Sequence, residues 1–190
     1  MNTEIKYQEL TSRSKLASRL LVHSSSKSVI HAPFDQVDIP EWLFNLSDLE
    51  YQKCSVAHIA CGSSRTADGR RMSLNVEEVG SLVVQHYVED IAEKPHCRLI
   101  STSDVFVHLQ RTTVNVIWEL MARPLHENVC EFENVVLVLT TRDYERFIAT
   151  NGITYEQARA AMEAAVEAHN AEETPLFARS IEAKALIAKG

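Results

Sequence analysis

VAHIACGSSRTADGRRMSLNVEEVGSLVVQHYVEDIAEKPHCRLISTSDVFVHLQRTTVNVIWELMARPLHENVCEFENVVLVLTT, from Val56 to Thr141, is the stretch on which the fold turns. It reads as six β-type segments in unbroken succession, separated by legible reversals. Asp68-Gly69 is a tight hairpin signal, and Gly80 and Lys94-Pro95 mark the next two turns. Gln110-Arg111 and Pro124 to Asn128 mark the last two. No helical period intervenes that would make parallel crossovers, so the spacing predicts an antiparallel meander.

An antiparallel sheet with one solvated face alternates, so charged residues mark the outer side. By that test Val114, Val116, Trp118 and Leu120 face inward, as do Phe132, Asn134, Val136 and Val138. Gln85 and Glu89 turn Leu82, Val84, His86 and Val88 inward, and Ser73, Asn75 and Glu77 turn Met72, Leu74 and Val76 inward. Arg98 and Asp104 stand opposite Leu99, Ser101, Ser103, Val105 and Val107. His58 shares parity with Val56 and Ala60 and is ambiguous.

Outward from the meander, Met1 to Lys27 carries leucines at loosely helical spacing and ends in Ser24-Ser25-Ser26, a polar breaker. Ser28 to Ala32 reads as a strand that stops at Pro33. Asp38, Pro40 and Glu41 open a helix that a second cap at Ser47 or Asp48 splits in two. On the carboxyl side, a short helix from near Asp143 ends at Asn151-Gly152, and Thr154 with Gln157 forms a capping box for the next helix. Tyr155, Ala158, Met162, Val166 and His169 fall on one face of it. Pro175 is expected to interrupt it, leaving Leu176 to Lys189 as a further amphipathic helix in need of a covering surface, for which a partner subunit is one candidate.

The strand-and-helix start Val29-Ile30-His31-Ala32-Pro33-Phe34-Asp35-Gln36-Val37, the strand Val116-Ile117-Trp118-Glu119-Leu120 and Phe132-Glu133-Asn134 together resemble the START-like, or SRPBCC, superfamily. That superfamily includes polyketide cyclases, lipid-transfer domains and pollen-allergen-type proteins. The resemblance implies an α+β helix-grip fold, a curved seven-stranded antiparallel sheet around a long C-terminal helix, over residues 27–170. A helical arm (1–26) and a helical extension (171–190) flank it. It also implies a deep cavity for an apolar or aromatic molecule and no shared catalytic residue. The spacing of a Rieske cluster and an iron-binding triad are both missing.

Of 190 residues, 45% are hydrophobic and 24% charged, as in an ordinary globular chain. A net charge of −7 without clustered Lys and Arg argues against nucleic acid. The four cysteines, Cys54, Cys61, Cys97 and Cys130, lack paired spacing and read as reduced thiols of a cytoplasmic protein. No segment reaches the length of a membrane span.

Among the inward residues the polar exceptions are His86, Ser101, Ser103, Trp118 and Asn134, which with Tyr155 and Met162 of the helix are the candidate ligand-binding set. His86 is the candidate general acid or base. Glu77-Glu78 and Glu172-Glu173 read as solvated charge, and His58 and His86 have no inward carboxylate at matching depth, so neither a metal nor another cofactor is expected. Three functions remain: a binder of a small hydrophobic or aromatic ligand, a polyketide cyclase/aromatase-like enzyme acting in the same cavity, and an interaction module or homodimer using the C-terminal extension.

Overall fold

The computed structural model describes residues 19–187. Seven strands form one antiparallel sheet: β1 (Leu20–Ile30), β2 (His58–Arg65), β3 (Arg71–Glu78), β4 (Leu82–Glu93), β5 (His96–Val107), β6 (Gln110–His126) and β7 (Val129–Thr140). Their order is β1-β7-β6-β5-β4-β3-β2, so the meander is continuous and the first strand closes beside the last. Between β1 and β2 lie α1 (Ile39–Phe44) and α2 (Asp48–Gln52); α3 (Arg142–Thr150) and α4 (Tyr155–Ile187) follow the sheet.

The local chemistry accounts for the helix starts. Asp38 accepts from the backbone N–H of Glu41, Ser47 from that of Glu50 and Thr141 from that of Tyr144. Thr154 and Gln157 exchange both bonds of a capping box, at 2.9 and 3.2 Å. The turn between β5 and β6 falls at His108-Leu109, both in the left-handed region, just before the expected Gln110-Arg111.

Three expectations are corrected. The first strand begins at Leu20, so Ser24-Ser25-Ser26 lies within it rather than breaking the chain before it. Ser24 is buried and Ser25 donates to Glu133 of β7, which shows how a serine run is tolerated on an edge strand paired to one neighbour. The rest of the proposed arm, 1–18, lies outside the described residues. Second, α4 runs through Pro175 without interruption. Third, the apolar side of its distal half is covered by the chain itself, with Phe177, Ala178, Ile181 and Ala185 all buried. Ser180 accepts from Trp42 Nε1 (2.8 Å), Lys184 donates to the Glu41 carbonyl and Glu182 accepts from the His31 N–H. The surface assigned to a partner is thus α1 and the end of β1.

The dense core sits under this distal half of α4. Trp42 meets Phe177 edge-on at 5.2 Å between centroids, and Phe177 meets Trp118 at 5.9 Å. Under the proximal half the sheet and helix stand apart, and a cavity opens. Among the described residues no helix is long and apolar enough to cross a membrane.

Candidate functional site

The cavity walls are built from the inner faces of the long strands: Val83 of β4, Val105 of β5, Val114 and Val116 of β6, and Val136 and Val138 of β7. Met162 and Val166 of α4 form the roof. The empty space among these residues, open solvent at the mouth included, is about 690 Å³. Val79, Ser81, Val105 and Met162 also border a shallower hollow lined by Tyr144, Phe147 and Ile148 of α3, so the way to solvent passes between the β3–β4 turn and the two last helices. Valine dominates because β-branched side chains suit a pleated surface and present short, stiff apolar tips.

At the inner end the lining becomes polar. Glu77 of β3 and His169, Asn170 and Glu173 of α4 border the cavity. Glu77 and His58 are direct cross-strand partners in β3 and β2, while His169 and Glu173 are one helical turn apart. The two pairs meet: Glu173 Oε2 lies 3.2 Å from Nε2 of both His58 and His169, and Glu77 Oε2 lies 3.8 Å from His169 Nε2. The opposite atoms are held too. The Tyr51 hydroxyl donates to Glu77 Oε1, and Asn134 Nδ2 donates to Glu173 Oε1 at 3.0 Å. Asn134 is itself fixed by Trp118 Nε1, which donates to its Oδ1 at 2.8 Å.

Burial and proximity govern the ionisation of this cluster. Burial raises the Glu77 carboxyl, and the neighbouring Glu173 charge adds to the rise. Burial also opposes charge on Glu173, but the bonds from His169 and His58 win and hold it at about 2. Burial would lower His169, yet its bond to Glu173 and the surrounding carboxylates raise it to about 9. Burial pushes the Cys54 and Cys97 thiols up to about 12.

Of the residues singled out from sequence, Trp118 and Met162 line the cavity. Asn134 is fully buried behind the lining, bonded to Trp118, Asn170 and Glu173, which border the cavity. Ser101 and Ser103 are buried in β5 and bonded to one another, and Ser101 Oγ accepts from the His86 N–H, so both are spent on the sheet. The Tyr155 hydroxyl donates to the Leu20 carbonyl and lies outside the cavity lining.

His86 is a correction: it is exposed on the outer face, 3.5 Å from Asp104. The inward side of β4 is Val83, Gln85 and Tyr87, and that of β3 is Ser73, Asn75 and Glu77, the reverse of the expected parity. The cause is that charge does not mark the outer face here. Arg71 pairs with Glu89 across the inner side, with its guanidinium over the Phe44 ring. Glu77 and Glu173, expected as solvated charge, are only 6% and 4% exposed. His169 was visible in the sequence as a member of the inner helical face, and His58 shared parity with inward neighbours. The carboxylates that join them carried no such signal.

No family model matches the chain, and no curated protein matches it by sequence. Solved structures do match by shape. An aromatase/cyclase, Zhui from Streptomyces sp. R1128, superposes with TM-score 0.60 at 16% identity, covering 88% of this chain and 95% of that one. The di-domain ARO/CYC StfQ of the steffimycin biosynthetic pathway gives 0.60 at 11%, covering 100% of this chain. BexL, the di-domain ARO/CYC of the BE-7585A pathway, gives 0.50 at 16% and 96%. This chain spans 62% and 60% of those two. The likeness establishes the START-like helix-grip fold.

Proposed function

We propose that the chain binds one small, largely hydrophobic or aromatic molecule between the sheet and α4, with a polar group of that molecule directed at the inner end of the cavity. The observation that carries this reading is a valine-walled cavity ending in fixed polar groups, the usual construction of a small-molecule site. Gln85 supports it: this residue borders the cavity, and its buried Oε1 has no hydrogen-bond partner among the described residues. A ligand donor at that oxygen would remove a cost of about 1 to 3 kcal/mol. Burial of apolar ligand surface would contribute ~25 cal/mol per Å².

Native mass spectrometry beside a denatured sample tests the proposal. The expected result is an added mass that disappears on denaturation, or, for protein purified bare, saturable 1:1 binding of the naphthalene probe ANS that Val116→Trp abolishes without loss of a cooperative melt. A bare mass together with ANS binding indifferent to Val116→Trp overturns it.

A cyclase/aromatase-like activity on the bound molecule is the second reading, favoured by the imidazole and carboxyl groups that border the cavity. It moves the candidate chemistry from His86 to the inner end. In a turnover assay on a poly-β-ketone analogue, His169→Ala is expected to cost ~10²-fold or more, and His86→Ala to cost nothing. The opposite pattern removes this reading.

A further inference from the structure

We propose that the inner end of the cavity is a site for one divalent transition-metal ion, held by His58 Nε2, His169 Nε2 and carboxylate oxygens of Glu77 and Glu173. One ligand-capable atom from each of His58, Glu77 and His169 lies within 4.8 Å of the others. Glu173 Oε2 adds a fourth at 3.2 Å from both imidazole nitrogens. That separation is the edge, ~3.3 Å, of a tetrahedron with bonds of about 2.0 to 2.1 Å.

The placement of hydrogens argues the same way. His58 Nδ1 faces the Tyr51 carbonyl at 2.7 Å, and a carbonyl only accepts, so the ring's hydrogen is on that side. Ser55 donates its hydroxyl to Glu172 Oε1, so at His169 Nδ1 it accepts, and Nδ1 of that ring carries a hydrogen too. With Nδ1 engaged in this way, both imidazoles turn Nε2 toward the carboxylate oxygens, the atom through which each would bind a metal. Among the described residues the ion-pair partners of Glu77 and Glu173 are these two imidazoles alone.

Glu77 and Glu173 bring two buried carboxyl groups to the same two imidazole nitrogens. One divalent ion at their centre would take both imidazole nitrogens as ligands and offset the carboxylate charge. The outer bonds also fit: Tyr51, Ser55 and Asn134 hold the non-converging atom of each ligand, the arrangement that orients imidazole and carboxylate toward a metal. Two nitrogen and two oxygen donors suit Zn²⁺, Mn²⁺ or Fe²⁺ over Ca²⁺ or Mg²⁺, which take oxygen. Since Glu77, His169 and Glu173 border the cavity, the ion would stand at its inner end, where a ligand oxygen would add as a fifth donor polarised by the metal.

The inference is independent of the organic ligand, and its test uses none. Chelator-dialysed full-length protein is titrated with zinc chloride by calorimetry, and separately with Co²⁺ followed by visible absorption. The expected result is one Zn²⁺ per chain and the intense bands of four-coordinate cobalt. Glu173→Gln and His169→Ala each weaken zinc by more than ~100-fold, Tyr51→Phe by ~10 to 100-fold, and His86→Ala not at all. Absence of saturable 1:1 binding overturns the proposal, as does binding that survives Glu173→Gln or is lost with His86→Ala. Should the charge-altering variants fail to melt cooperatively, the cobalt spectrum of the unmodified protein decides alone: bands of hexa-aqua cobalt overturn it.

Discussion

Trp118 does two jobs with one side chain: its ring is cavity wall, and its indole N–H fixes the amide of Asn134. Trp118→Phe keeps the wall but leaves Asn134 Oδ1 buried without that donor, so it is expected to cost ~1 to 3 kcal/mol in urea unfolding. His86→Ala, on the outer face, is expected to stay within ~0.5 kcal/mol. A larger loss there, or none at Trp118, contradicts the facing described for β4 and β6. The thiols give a separate check. With Cys54 and Cys97 held up at about 12, the folded protein should alkylate slowly at pH 8 and quickly in denaturant, read by mass spectrometry. These distinctions were half legible in the sequence. Trp118 and Asn134 stood out as polar groups on an otherwise aliphatic face, but parity alone could not show that their polar atoms would bind each other.

For a whole strand, parity is only as good as the residue that anchors it. In β5, β6 and β7 the charged positions do lie outward, and the alternation reads correctly. In β3 and β4 the anchors were Glu77, Gln85 and Glu89, which the fold turns inward, setting Glu77 beside His169, Glu89 beside Arg71 and Gln85 at the cavity. A strand that carries function on its inner face therefore reads inside out. The helix α4 misled differently: Pro175 removes a donor and ordinarily ends a helix, but buried residues on both sides, Thr174 and Phe177, hold it in line. Phe177→Ala is accordingly expected to cost ~3 to 5 kcal/mol in urea unfolding. Ending the chain at Pro175 should abolish the cooperative melt, whereas a truncated chain that melts normally would mean that the distal helix is dispensable. At the other end of α4, Gly80 turns the β3–β4 hairpin with a positive φ, and a Cβ placed there would stand 3.1 Å from that of Ala165. Gly80→Ala is expected to cost ~1 kcal/mol or more in stability and to shift the cavity mouth.

At the scale of the molecule, the order of elements was the strongest signal in the sequence. Hairpin turns, capping box and the inner helical face were all written locally, and they were enough for the helix grip. The inner end of the cavity was not, because it joins α2, β2, β3, β7 and α4, whose residues meet only after folding. Nothing short-range in Glu77-Glu78 separates the buried glutamate from its exposed neighbour. The closure of β1 against β7 extends the same point to biosynthesis. Lys27 meets Glu131, 104 residues further along the chain. As the polypeptide leaves the ribosome, the first strand is complete long before β7, the strand it pairs with, exists, and the helix that covers it comes later still. The growing chain must carry this strand unpaired until its final third has been translated.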